Sequence, residues 1–74
     1  MTKDEVLEAF PIGSVVKKKN GSTFRGPRGE TRAALVAGVY GYEVAFIGRR
    51  YNIEVCDEFG RSQGEFASDK LERA

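Results

Sequence analysis

The sequence has 74 residues, a length that fits one small domain. It contains one cysteine and no histidine, which excludes an intrachain disulfide and argues against a structural zinc site and a histidine-based hydrolase. The net charge is +1, and no apolar run approaches the roughly 20 residues of a membrane-spanning helix. Because a lone thiol fits a reducing compartment and the N-terminus is acidic, we expect a cytoplasmic protein without membrane association.

The first ten residues predict a short helix. Thr2 and Glu5 have the spacing of a capping box, and Pro11 ends the helix because the residue before a proline avoids the helical region. Its apolar side would consist of Val6, Leu7 and Phe10. Such a short helix is not stable alone, so we expect this side to pack on the domain or on a neighbouring subunit.

The segment from residue 14 to residue 31 predicts one strand and a long loop. Residues 14–19 form the strand, and Asn20-Gly21 is a strong turn signal. Residues 20–31 are rich in glycine and arginine and contain Phe24 as their only apolar anchor. They therefore predict a long, mobile, basic loop, and loops of this length are often functional.

The richest β segment is predicted at residues 32–48. Tyr40-Gly41-Tyr42 is interpreted as a tight bend or a glycine bulge within it. Val44 and Phe46 share one face and are predicted to point into the core. Arg49-Arg50 are expected to mark the next reversal of the chain.

The C-terminal third predicts two strands and a helical turn. Residues 51–56 alternate apolar and polar side chains, which is typical of a half-buried strand. Residues 57–60 are interpreted as a turn, 62–67 as a short strand with Phe66 inward, and 68–71 as a capped turn that buries Leu71. Together these elements predict a mainly β fold, a small SH3-like five-stranded barrel with a short N-terminal helix and a C-terminal helical turn. An open, twisted sheet that dimerises through an edge is the alternative.

A basic middle is the strongest candidate for a binding surface. Residues 15–50 hold eight cations and two anions, namely Lys17, Lys18, Lys19, Arg25, Arg28, Arg32, Arg49 and Arg50 against Glu30 and Glu43. Interleaved aromatic residues are Phe24, Tyr40, Tyr42 and Tyr51. Cations that contact phosphates and aromatic rings that stack on bases are typical of barrels that bind single strands. The alternative is a solvated surface whose charges pair with the acidic ends, with the tyrosines in the core.

One stretch also resembles a known family. Residues 16–26 read VKKKNGSTFRG and resemble the first strand and turn of the type II, plasmid-encoded dihydrofolate reductases. Looser likeness at 35–40, 51–54 and 71–73 extends the resemblance to roughly half the chain. It implies an SH3-like barrel that assembles into a homotetramer around one pore, which holds folate and NADPH.

The resemblance assigns roles to single positions. Lys18 matches the pore lysine that attracts the anionic ligands, and Gln63 can be aligned with the pore glutamine. Phe24 stands at the family's interface tryptophan. Gly64 and Glu65 replace the isoleucine and tyrosine that follow the pore glutamine in the family.

Three hypotheses follow. The first is a small non-enzymatic binding module, an accessory protein of a phage or another mobile element, which contacts nucleic acid or an acidic protein and needs no cofactor. The second is a type II-like reductase that uses NADPH. The third is a structural protein that completes a larger assembly. We expect a homo-oligomer, because a chain of this length buries a thin core.

Overall fold

The computed structural model describes residues 2–26 and 29–74. Within these ranges one helix precedes the strands, and a 3₁₀ turn at Ser68–Lys70 separates the last two strands. The elements are α1 (Lys3–Ala9), β1 (Val15–Lys18), β2 (Phe24–Gly26), β3 (Gly29–Thr31), β4 (Ala34–Val44), β5 (Gly48–Cys56), β6 (Ser62–Ala67) and β7 (Leu71–Arg73). The prediction of a mainly β fold with a short N-terminal helix is confirmed.

Five strands form one antiparallel sheet in the order β6-β5-β4-β1-β7, and β2 and β3 form a separate two-stranded hairpin. Within the described ranges no backbone pairing connects β6 to β7 or to the β2–β3 hairpin, so the sheet keeps two edges. Closure into a five-stranded barrel therefore stays a prediction. No helix in the described part of the chain has the length and apolar character needed to cross a membrane.

Helix α1 begins at the predicted capping box. The Glu5 backbone N–H donates to Thr2 Oγ1 over 3.3 Å, and the Thr2 backbone N–H donates to Glu5 Oε1 over 3.1 Å. Val6 is fully buried, while Leu7 and Phe10 are partly buried against the core. The helix packs on β4, as the apolar side of such a short helix requires.

The core lies between the sheet, the helix and the β2–β3 hairpin. Its buried side chains are Val6, Val16, Phe24, Ala34, Val36, Val39, Ile53, Val55 and Leu71. The alternation of residues 51–56 is confirmed, because Ile53 and Val55 are fully buried. Tyr51 and Phe66 are partly buried at the margin of this core.

The segment predicted as a long loop at 20–31 contains the β2–β3 hairpin instead. Phe24 is fully buried, and Arg25 pairs across the hairpin with Glu30, with 3.1 Å between Arg25 Nε and Glu30 Oε1. A buried aromatic anchor and a cross-strand ion pair favour paired strands over a loop. Arg28, which the sequence placed in this loop, lies outside the described residues.

The long β4–β5 hairpin corrects three further expectations. Tyr40-Gly41-Tyr42 is no bend, because pairing continues from Gly38 to Val44, and the register shift lies between Val36 and Gly38. The reversal occurs at residues 45–47, so Arg49-Arg50 belong to β5. Phe46 does not point inward: it lies in this turn and is fully exposed. The physical reason is that the hairpin extends beyond the core, so its apex has nothing to pack against.

The C-terminus holds a strand that the sequence pattern did not predict. Leu71 is buried as expected after the 3₁₀ turn, but the turn lacks the predicted side-chain cap hydrogen bond. Leu71–Arg73 then pairs with β1 as strand β7. A three-residue strand with a single buried side chain is too short to show alternation.

Candidate functional site

Two open clefts that share two lining residues together form what we call the basic groove. The first has a volume of about 520 Å³ and is lined by Lys18, Lys19, Asn20, Phe66, Asp69 and Lys70. The second has a volume of about 620 Å³ and is lined by Tyr42, Val44, Ile47, Arg49, Arg50, Tyr51, Ala67, Ser68, Asp69 and Lys70. Asp69 and Lys70 line both clefts, so the two are adjacent. The described lining contains five cations and one carboxylate, so the groove favours an anionic ligand.

Strand pairing brings the lysines of the groove together. The Lys19 backbone N–H donates to the Lys70 carbonyl over 3.0 Å, and Lys18 is the register partner of Leu71. The Asn20-Gly21 turn then reverses the chain, with the Gly21 N–H donating to the Lys18 carbonyl over 3.1 Å. The end of β1 and the 3₁₀ turn therefore present three ammonium groups at one cleft.

Lys18 has an aromatic platform beneath it. Its Nζ lies 4.6 Å from the centroid of the Phe66 ring and 5.2 Å from that of Phe24. The two rings meet edge to face, with centroids 5.2 Å apart. Both distances between ammonium and ring are within the range of cation–π attraction, so Lys18 covers the end of the core while it lines the groove.

The β4–β5 hairpin forms the other wall of the groove. Gly41 allows Arg49 and Tyr51 to lie close against β4, because a Cβ at Gly41 would be 2.8 Å from Arg49 Nη1 and 3.1 Å from Tyr51 Cε1. Tyr42 is the register partner of Arg50, so the two share the opposite face of the hairpin. The pair Arg49 and Tyr51 and the pair Tyr42 and Arg50 therefore lie on opposite faces of the hairpin, and all four residues line the second cleft.

The positive charge of Arg49 is partly neutralised by Glu43, which lies opposite on β4. Its Nη2 and Nε lie 2.9 and 3.0 Å from Glu43 Oε1. Both side chains are more than half exposed, so the pair contributes little to stability and a competing phosphate can displace Glu43. Arg50 has no ion pair with any residue that the structure describes, and its guanidinium is available to a ligand.

The structure brings together only part of the basic residues predicted from sequence. Lys18, Lys19, Tyr42, Arg49 and Arg50 line the groove. Other predicted residues lie elsewhere: Lys17 is 3.7 Å from Glu72, Arg25 pairs with Glu30, and Arg32 lines neither cleft. Sequence reasoning missed Lys70, because only the pairing of β7 with β1 places it beside Lys19.

Gln63 lies in a different cavity from Lys18. This cavity has a volume of about 360 Å³, lies beside β3 and the 57–60 turn, and carries the carboxylates Glu30, Asp57 and Glu58. The Gln63 side chain fits under β2, where a Cβ at Gly26 would lie 2.8 Å from Gln63 Nε2. Gln63 Oε1 and Asp57 Oδ2 are buried and have no hydrogen-bond partner among the residues that the structure describes. Within one chain, Lys18 and Gln63 therefore do not line a common site.

The surroundings of Cys56 disfavour its use as a nucleophile. Burial raises the pKa of the Cys56 thiol, and the carboxylates of Asp57 and Glu54 raise that pKa further. A raised pKa reduces the thiolate fraction that a nucleophile needs. No group of three or more potential metal ligands occurs in residues 2–26 and 29–74.

Comparisons with protein-family models, with curated proteins and with solved structures found no match for this chain.

Proposed function

We propose that this chain is a non-enzymatic module that binds single-stranded nucleic acid in the basic groove. The observation that carries the proposal is the convergence of five cations and two tyrosines in one groove, from segments far apart in the sequence. Cations bind the phosphate backbone, and exposed aromatic rings stack on bases of any sequence. The aromatic residues favour nucleic acid over an acidic protein, because a carboxylate-rich partner needs the cations alone.

The groove fits a strand rather than a small ligand. Its two clefts are open, and residues of the end of β1, the 3₁₀ turn and the β4–β5 hairpin line them. Lys19 lines the first cleft, Arg50 lines the second, and Lys70 lines both. A chain of phosphates can follow such a series of cations, whereas a single anion can occupy only one part of it.

The proposal is tested by the salt dependence of oligonucleotide binding. With about four phosphates contacted, the logarithm of affinity should fall with the logarithm of salt concentration with a slope of about −3, since each contact on a single strand contributes about −0.7. A triple variant with Lys19→Ala, Arg50→Ala and Lys70→Ala should reduce the magnitude of this slope by about 2. Fluorescence anisotropy with labelled single-stranded DNA and RNA measures both slopes.

A matched control variant removes the same charge from outside the groove. Lys17→Ala, Arg25→Ala and Arg32→Ala should leave the slope close to that of the wild type, because these cations line neither cleft. If both triple variants weaken binding equally, the oligonucleotide is bound by the charge of the whole surface and not by the groove. If neither DNA nor RNA binds at low salt, the nucleic-acid proposal is wrong and an acidic protein becomes the candidate partner.

We also propose that the strands close into an SH3-like barrel with the β2–β3 hairpin as its cover. Support comes from Phe24, which contacts Phe66 of β6, and from the close approach of Gly26 to Gln63 of the same strand. The hairpin therefore lies against the edge strand β6. Slow hydrogen exchange of the β6 edge amides, such as that of Glu65, would support closure, and exchange as fast as in a solvated edge would contradict it.

The reductase hypothesis receives no specific support. A type II-like pore would gather Lys18 and Gln63, and within the chain these residues line separate cavities. We expect no NADPH-dependent reduction of dihydrofolate. Turnover that disappears in both Lys18→Met and Gln63→His would reverse this ranking. The cytoplasmic location and the homo-oligomer remain predictions, and light scattering tests the latter.

A further inference from the structure

The apex of the β4–β5 hairpin carries an aromatic residue whose position the fold does not explain. Phe46 has a relative exposure of 109%, and Ile47 beside it is 60% exposed. Phe46 also has a φ of 66°, the only positive φ of a non-glycine residue in the described part of the chain. An aromatic side chain that gains no burial therefore lies in a strained backbone conformation.

The turn itself would be easier to form with another residue. The Ile47 N–H donates to the Val44 carbonyl over 3.1 Å, so Phe46 is the third residue of a four-residue turn. A positive φ at that position favours glycine or asparagine. Neither packing nor turn geometry accounts for phenylalanine at this position. A contact between Phe46 and another molecule accounts for it better.

The hairpin places this ring well away from the core. The last buried pair of the hairpin is Val39 with Ile53, and β4 continues for five more residues to Val44. At about 3.3 Å per residue, Val44 lies roughly 16 Å beyond that pair, and the apex follows Val44. The long dimension of the molecule, 38 Å against 20 and 19 Å in the other two directions, accommodates such a projection.

The surroundings of the apex indicate the chemistry of its ligand. Ile47, next to Phe46, lines the same cleft as Arg49 and Arg50, so the basic groove reaches the apex. An anionic strand bound along the groove would therefore be brought against the apolar ring. Apolar side chains beside cations can enter base steps of nucleic acids, where phosphates are held by the cations and the ring replaces a stacked neighbour.

We propose that the β4–β5 hairpin is a wedge, and that Phe46 inserts between adjacent bases of the strand bound in the basic groove. This inference rests on the nucleic-acid function proposed above. It adds that the protein contacts the bases of its ligand as well as the phosphates. It also adds that binding unstacks adjacent bases of the strand. Ile47 lies beside the inserted ring and faces the groove.

The chain contains no tryptophan, so a single indole can report directly on the apex. Phe46→Trp places this fluorophore at the proposed wedge, and Phe59→Trp places it at the other end of β5, in the turn that follows Cys56. Phe46 and Phe59 are both exposed, so both variants should fold. On titration with a single-stranded oligonucleotide, emission from the indole at position 46 should fall in step with binding measured by anisotropy, and emission from position 59 should stay constant.

Affinity provides the second readout. Phe46→Ala should weaken binding about five- to 150-fold, the range for loss of one stacked base, and should leave the salt slope unchanged because no cation is lost. Phe59→Ala should leave the affinity unchanged. Binding with normal affinity in Phe46→Ala and without quenching at position 46 would overturn the wedge and leave the proposed function intact.

Two other outcomes also decide against the wedge. Absence of binding by the wild-type protein would overturn the proposed function and the wedge with it. The second outcome is that a second copy of the chain covers the apex. In that case, emission at position 46 would change with protein concentration in the absence of oligonucleotide, and the protein would have a dimer mass that Phe46→Ala abolishes.

Discussion

Lys18 should contribute to stability through the two phenylalanine rings beneath its ammonium group. Lys18→Gln removes the charge, which lies 4.6 Å from the Phe66 centroid and 5.2 Å from that of Phe24. A cation–π contact contributes about 0.5–1 kcal/mol when exposed and about 2 kcal/mol when desolvated. Because Lys18 is of intermediate burial, we expect a loss of about 1 kcal/mol in the free energy of unfolding, which for a domain of this size lowers the Tm by about 4–8 °C.

The matched control is Lys19→Gln, one residue further along the chain. Lys19 is exposed and has no aromatic contact among the residues that the structure describes, so its replacement should change the Tm little. Each variant removes one cation of the groove, so both should reduce the salt slope of oligonucleotide binding by about 0.7. Thermal unfolding followed by circular dichroism separates the two effects. Equal Tm values for the two variants would refute the stabilising cation–π contact of Lys18 with Phe24 and Phe66.

Three further changes test the fold. Ile53→Ala should cost about 2–5 kcal/mol in the free energy of unfolding, measured in urea, because Ile53 is fully buried; a loss below about 1 kcal/mol would contradict its place in the core. Glu65→Gln should raise the free energy of unfolding by about 0.2–1 kcal/mol, because the like charges of Glu54 and Glu65 are register partners on β5 and β6. This gain should become smaller at high salt. A lower free energy of unfolding would show that the two charges do not face each other. Hydrogen bonds from Thr2 lower the pKa of Glu5, so its stabilising effect is present above the ordinary carboxyl pKa and is lost as the pH falls through the lowered pKa. Thr2→Ala keeps the backbone N–H, the larger cause of the lowered pKa, and removes the hydroxyl donor, so the pKa of Glu5 should rise only in part in an NMR titration; an unchanged value would contradict the hydrogen bond from the Thr2 hydroxyl.

Local patterns in the sequence identified the elements whose stability depends on near neighbours. The capping box of Thr2 and Glu5 needs only a separation of three residues, and it forms as expected. The alternation that buries Ile53 and Val55 is a property of one extended segment. The 57–60 turn likewise closes locally, with the Gly60 N–H donating to the Asp57 carbonyl over 3.0 Å.

The candidate site could be predicted only in part, because it depends on contacts between segments that are distant in the sequence. The sequence showed that cations are concentrated in the middle of the chain, but it does not tell which of these cations face one another. Lys17 and Lys18 are adjacent, yet strand alternation sends Lys17 towards Glu72 and Lys18 over the ring of Phe66. Lys70 lies outside the basic middle and still joins the groove.

The helix, the strand periodicity and the mainly β class could thus be predicted from the sequence, because short-range spacing governs them. Three features became apparent only in the folded chain: β7 pairs with β1 beside Lys19, Phe24 anchors a hairpin, and Phe46 is exposed at an apex. These features depend on the register between strands that are distant in sequence and on how far a hairpin extends beyond the core. Neither quantity is encoded in the pattern of any one segment, since each is fixed by packing between segments.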